Sequence, residues 1–217
     1  MKSALIAGAT GLVGGELLQI LLNRPEYGRV VALVRRSLPL EHPKLEQRVV
    51  DFDRLADHAG AFAVDDVYCC LGTTIKKAGS QAAQRRVDYE YPLAMANLAK
   101  AQGARRYLLV SSAGADAKSA FFYMRLKGEV EAAVSAAGVP EVHIFRPSLL
   151  LGHRQEMRIG ERIATALSPL YGPLMPASSR PIQARDVGLA MVVSAAGPEA
   201  PGVHIHPNQE VQQLARR

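Results

Sequence analysis

The 217-residue sequence predicts an α/β fold, a mainly parallel, doubly wound sheet with helices on both faces. Three observations carry that expectation. Short apolar and β-branched runs alternate with longer stretches of helical periodicity. A glycine cluster lies directly between the first strand and the first helix. Residues able to do chemistry recur just past the ends of successive strands, where open α/β sheets bind their ligands.

The elements follow in order. Ala4–Ala7 is an apolar run broken by glycines, a buried strand and its turn. Leu17, Leu18, Leu21 and Leu22 repeat at helical spacing within Leu12–Leu22, and Asn23-Arg24-Pro25 stops that helix. Val30–Val34 and Arg48–Val50 read as the second and third strands, and Asp66–Leu71 as the fourth, ending at Gly72. One long helix is expected over Ser80–Gln102, with Gly103 as its stop. Tyr107–Val110 is a fifth strand running into Ser111 and Ser112, and Lys118–Ala137 a helix closed by Gly138. Val142–Phe145 is a sixth strand ended by Arg146-Pro147, Gln183–Ala196 a helix and Val203–His206 a short last strand. Strands separated by helices imply right-handed crossovers.

Length and composition suit a single domain, residues 1–217. The content is 48% apolar and 21% charged, which excludes a disordered or fibrous chain. The net charge of +6 is spread along the chain and reads as solvated surface, and aromatic residues are too few for a base-stacking groove, so no nucleic-acid partner is expected. No apolar run is long enough for a membrane-spanning helix, and no signal peptide is evident. Cys69 and Cys70 are adjacent, point to opposite faces of a strand and lack zinc-site spacing, which fits a reducing, cytoplasmic compartment. His204 and His206 share a strand face without a carboxylate or cysteine beside them, so no metal site is expected.

The loop Gly8-Ala9-Thr10-Gly11-Leu12-Val13-Gly14 opens the first helix. Gly8 suits a tight turn, Gly11 lets backbone approach a pyrophosphate at the helix N-terminus, and Gly14 lets that helix pack closely on the sheet. The spacing is one residue longer than the usual dinucleotide fingerprint, but the strand–turn–helix context points to a Rossmann-type nucleotide site. About twenty residues past the loop, a site for NAD presents a carboxylate to the ribose. Arg35 and Arg36 stand there instead, and guanidinium groups suit the 2′-phosphate of NADP(H). Asp51 and Phe52 are placed to contact the adenine; Phe52 is otherwise core.

Tyr123 and Lys127, four apart, share a helix face. A free phenol has a pKa of about 10, and a neighbouring ammonium favours the phenolate, bringing it toward general acid/base use. The same ammonium can hydrogen-bond the nicotinamide ribose. Ser112, further past the fifth strand than Ser111, is placed to hold a substrate oxygen. The order of glycine loop, serine, tyrosine and lysine raises a common spacing to a catalytic candidate.

Those residues match the short-chain dehydrogenase/reductase superfamily. Cys69-Cys70-Leu71-Gly72-Thr73-Thr74, Ser111-Ser112-Ala113-Gly114-Ala115-Asp116, Lys127-Gly128-Glu129-Val130-Glu131 and Phe145-Arg146-Pro147 together resemble its atypical branch, the Tat-interacting-protein oxidoreductase-like group. The resemblance implies NADP(H) at the loop, Leu71, Gly72, Thr73 and Ser111 lining the cofactor, Pro147, Ser148 and Leu149 near the nicotinamide, Arg154 close to cofactor or substrate, and, beside longer relatives, only a small substrate-side lobe over about 148–217. The expected function is hydride transfer between NADPH and a small-molecule carbonyl or alcohol; the alternative is an NADP(H)-sensing binding protein. Arg154, Arg158 and Arg162 would form a basic stripe on a helix, and Gly172–Pro181 reads as a loop near the site.

Overall fold

A computed structural model describes residues 1–152, 176, 178–198 and 200–217. Seven parallel strands form one sheet: β1 (Lys2–Ala7), β2 (Tyr27–Val34), β3 (Leu45–Val49), β4 (Asp66–Cys69), β5 (Arg106–Val110), β6 (Glu141–Arg146) and β9 (Gly202–Pro207), in the order β3-β2-β1-β4-β5-β6-β9. Leu150–Leu151 (β7) and Ile182–Gln183 (β8) pair separately. Strand order reverses between β1 and β4, where Ala7 pairs with Cys69. The glycine loop and the residues after β4 therefore meet at the switch point, where such sheets take ligands.

Alternation along the buried strands supplies two cores. Ala4 and Ile6 face α1 (Leu12–Asn23) and the late helix Ala184–Ala196, with Leu17, Leu21, Val187 and Met191 between them. Leu5 and Ala7 face the opposite layer, with Phe62, Met95, Ala99, Val130 and Val134. A Cβ on Gly188 would lie 3.3 Å from the Leu17 backbone, so Ala184–Ala196 lies directly on α1. At the N-terminal edge of the sheet, away from the glycine loop, buried Asp66 accepts from Tyr27 Oη at 2.6 Å and Lys2 Nζ at 3.3 Å, while Arg106 pairs with Glu141 at 3.0 Å. Pairing is what makes these buried charges tolerable.

Several expectations need correcting. The single helix over Ser80–Gln102 is instead α2 (Ile75–Ala78), α3 (Gln81–Arg85), a π-turn at Arg86–Glu90 and α4 (Tyr91–Ala101). Pro92 has no N–H to give the carbonyl of Asp88 four residues back, so the turn there widens. The helix expected from Lys118 begins later, as α5 (Phe122–Ser135), because Asp116 Oδ1 accepts from Lys118 N–H and holds Asp116–Ser119 as a turn. Of the residues expected in the C-terminal lobe, those described from 182 onward include β9, the seventh strand of the main sheet, and Ala184–Ala196, which covers a core face. The third strand starts at Leu45, its alternating Glu46 and Arg48 suited to an edge strand bound to Arg29. A 3-10 segment at Phe52–Phe62 and a last helix at Asn208–Leu214 were not anticipated.

Candidate active site

The glycine loop is fixed by close packing. Gly8 has φ +89°, and a Cβ there would come within 2.6 Å of the Cys70 carbonyl carbon. A Cβ on Gly14 would lie 2.7 Å from the Gly8 carbonyl carbon. The Gly11 amide donates to Gly8 O at 2.8 Å, closing the turn. The N-terminus of α1 has no side-chain cap and no acidic residue in its first turn. Among the described residues its first amides and positive dipole end therefore meet no side chain, which fits a pyrophosphate. Thr10 and Gly11 are exposed and Leu12 half-buried there, while Val13 packs into the core.

Arg35 and Arg36 directly follow β2, both exposed and neither tied into an ion pair among the described residues. Asp51 is exposed and accepts from Asp53 N–H at 3.0 Å, capping the 3-10 segment. Phe52 resolves as core: it is buried, with its ring 5.5 Å from that of Tyr91. Cys69 and Cys70 are free thiols on opposite faces, Cys69 in one core and Cys70 against the other. Leu71, Gly72 and Thr73 follow at the switch point, with Gly72 exposed.

The loop after β5 lies against α5. A Cβ on Gly128 would fall 2.8 Å from Ala117 Cα, so only glycine lets the loop cross the helix there. Ser111 donates its hydroxyl to buried Glu131, which also receives Arg146 Nε at 3.0 Å. That hydroxyl is therefore committed to protein. Among the described residues, the Ser112 hydroxyl makes one long bond, 3.3 Å, to the adjacent Ala113 carbonyl and is half-exposed. Of the two serines, Ser112 is the less committed among the described residues.

Tyr123 and Lys127 occupy successive turns of α5. Tyr123 is 38% exposed, whereas Lys127 is buried, its ammonium 5.9 Å from the centre of the Tyr123 ring. Burial disfavours charge on Lys127, but Asp88, whose Oδ1 lies 2.9 Å from Nζ, together with smaller contributions from Tyr123 and Cys69 offsets it, so the lysine pKa is raised and the ammonium persists. The contact is an ion pair by distance, without the alignment of a good hydrogen bond. Asp88 is the site residue that sequence reasoning missed. Its one signal was Pro92, four residues on, inside a run otherwise helical.

Beyond β6, Pro147 O accepts from Ala113 N–H at 2.8 Å, joining the two strand-end loops. Ser148 N–H donates to buried Asn208 Oδ1 at 3.0 Å, and Leu149 is exposed. Arg154, Arg158, Arg162 and half of Gly172–Pro181 lie outside the described residues.

Comparisons with known proteins agree with this geometry. Residues 8–157 match the family model described as NAD(P)H-binding. The rat protein HTATIP2 is 44% identical over 167 residues, covering 75% of this chain and 69% of its own. The Candida albicans protein FMP52, mitochondrial, is 34% identical over 193 residues, 86% of this chain and 84% of its own. The solved structure of MoeE5 in complex with UDP-glucose and NAD superposes with a TM-score of 0.72 at 17% identity, covering 94% of this chain and 74% of that one, a likeness of fold alone. The expected cytoplasmic location is overturned: the Candida albicans protein and other fungal relatives are named mitochondrial. Adjacent free thiols say only that no disulfide forms between them, which does not specify a compartment.

Proposed function

The chain belongs to the NAD(P)H-binding family, in the Tat-interacting-protein oxidoreductase-like group of the atypical short-chain dehydrogenases/reductases, and on that premise we propose that it is an NADP(H)-dependent oxidoreductase acting on a small carbonyl or alcohol. The observation that carries the reading is a persistent ammonium, Lys127, buried beside the half-exposed phenol of Tyr123. The bound nicotinamide would supply or accept the hydride. Tyr123 would give its phenolic proton to the carbonyl oxygen in reduction, or take the alcohol proton in oxidation. Ser112, whose hydroxyl makes only a long bond to Ala113 O among the described residues, would hold that oxygen. Lys127 would stabilise the phenolate through space and keep N–H donors for a ribose hydroxyl.

The loop Gly8–Gly14 and the first amides of α1 would hold the pyrophosphate. Arg35 and Arg36 would take the 2′-phosphate with charge-assisted hydrogen bonds, each of about 1.5–3 kcal/mol. Leu71, Gly72, Thr73, Pro147, Ser148 and Leu149 would line the cofactor from the neighbouring strand ends. Arg154 is proposed, from the resemblance alone, as a contact to cofactor or substrate.

A paired calorimetric titration with NADPH and NADH tests the cofactor. Arg35→Ala/Arg36→Ala should weaken NADPH by roughly tenfold or more and leave NADH nearly unchanged. Equal affinity for both cofactors in the unaltered protein would remove the arginine argument. A panel of aldehydes and ketones with NADPH then tests the chemistry. Sustained cofactor oxidation supports an enzyme; tight binding without turnover supports the sensing protein.

A further inference from the structure

We propose that Asp88 is a positioning residue of this site, holding the Lys127 ammonium in place and joining it to the turn that follows β4. The proposal extends the reading of Lys127 and Thr73 given above and depends on it for the role of that turn.

Both carboxylate oxygens have a defined task. Oδ1 faces Lys127 Nζ at 2.9 Å, with the two side chains 1% and 5% exposed. Oδ2 accepts the Thr73 amide at 3.0 Å, and Gln84 donates to the Thr73 carbonyl at 3.2 Å from the same helical run. A Cβ on Gly72 would rest 3.5 Å from Asp88 Oδ1, so the turn passes directly over the carboxylate. One side chain therefore touches the helix that bears Tyr123 and the backbone at the switch point.

The local fold makes this placement possible. A regular helix would carry Asp88 at a different angle. The π-turn at Arg86–Glu90, forced by Pro92, inserts extra rotation where Asp88 leaves the helix. A carboxylate buried this deeply costs several kcal/mol unless its charge is met. The ionisable groups around Lys127 are Asp88 from the π-turn, Tyr123 from its own helix and Cys69 from β4. Among these, Asp88 alone is within ion-pair distance, so it is the group that keeps the lysine charged in a dry setting.

Charge and geometry separate cleanly by substitution. Asp88→Asn keeps an oxygen for the Thr73 amide and removes the negative charge. Asp88→Ala removes both. The direct readout is the titration of Lys127, followed by NMR on protein carrying 13Cε-labelled lysine, with Lys127→Arg used for assignment. Asp88→Asn should lower the proton affinity of Lys127 by roughly tenfold or more, since burial is then uncompensated. A residue that merely fills space would leave that titration unmoved, and an unchanged titration overturns the proposal. Should the variant fail to fold, the unaltered protein still decides: a Lys127 that titrates well below the ordinary lysine range, as an uncompensated buried amine would, overturns it.

The coupling to the turn is read with NADPH as probe. Asp88→Ala should weaken NADPH by roughly tenfold, and Asp88→Asn by less, because the Thr73 amide keeps its acceptor. Equal NADPH affinity in Asp88→Ala and the unaltered protein overturns the coupling. Absence of NADPH binding in the unaltered protein would instead sink the functional reading, and the Lys127 titration would still report on Asp88 by itself.

Discussion

Gly14 and Gly15 are neighbours on one helix, yet replacing each by alanine should move stability in opposite directions. A Cβ on Gly15 would meet Ala9 O at 3.4 Å, an ordinary contact. Gly15→Ala therefore keeps the helix-propensity gain of alanine over glycine, about 0.5–1 kcal/mol. A Cβ on Gly14 would lie 2.7 Å from the Gly8 carbonyl carbon and nearer still to its oxygen. Carbon atoms prefer a separation of about 3.5–4.0 Å, so α1 and the glycine turn must part by about 1 Å. The obstacle is backbone and cannot rotate away. Overpacking of this kind costs about 1–3 kcal/mol and reaches its upper end when backbone must move. The two variants should thus differ by roughly 2 kcal/mol or more, with Gly14→Ala the weaker. Urea unfolding at constant m measures the difference. Titration with NADPH should also show a weaker complex for Gly14→Ala, since the displaced helix end is the proposed pyrophosphate site. Equal midpoints for the two variants would refute the claim that the loop is held by contact rather than by glycine flexibility.

Other expectations are shorter. Tyr123→Phe should keep NADPH affinity and lose roughly 10²–10⁴ in turnover on any substrate found, whereas unchanged turnover removes the phenol from the chemistry. Gly128→Ala should fail to accumulate as folded protein, because the new methyl would collide with the Ala117 backbone; circular dichroism and yield check this. Burial, aided by the neighbouring His206, lowers the His143 pKa to about 4 although Glu141 opposes the shift. The unfolded chain then binds a proton near its ordinary value of about 6.5 while the native state does not, so stability falls as pH drops from there toward 4 and levels off below it. That part of the slope should vanish in His143→Gln in urea melts across the range. A slope that persists unchanged would assign it to carboxylates such as Glu141.

What could be read from the sequence was local. The apolar runs at Ala4–Ala7, Val30–Val34 and Val142–Phe145 lie in strands because burial on both faces needs continuous apolar residues. Gly8, Gly11 and Gly14, and the Tyr123–Lys127 spacing, are short-range signals, and each lies where the pattern put it. The unreadable part was long-range. Asp88 falls inside the run expected as one helix, and its partner stands 39 positions later, beyond the reach of any local pattern. The commitment of Ser111 to Glu131, and of Ser148 to Asn208, joins residues 20 and 60 positions apart that no periodicity connects. Phe52 had two readings because an aromatic residue after a strand fits either core or ligand, and only the ring of Tyr91 beside it decides.

The packing of Ala184–Ala196 on α1 carries a consequence for how this protein comes into being. The residues proposed for chemistry, from Gly8 to Lys127, leave the ribosome before the helix that shields the first one has been made. Leu17, Leu18 and Leu21 must wait for Val187, Ala190 and Met191 to cover them. A nascent chain of about 150 residues would hold the proposed reactive groups and still expose the part of that sheet face, and the flank of α1, that the late helix covers. Such a chain is a client for chaperones rather than a working fragment. Competence would arrive late in synthesis, with segments that take no part in the reaction.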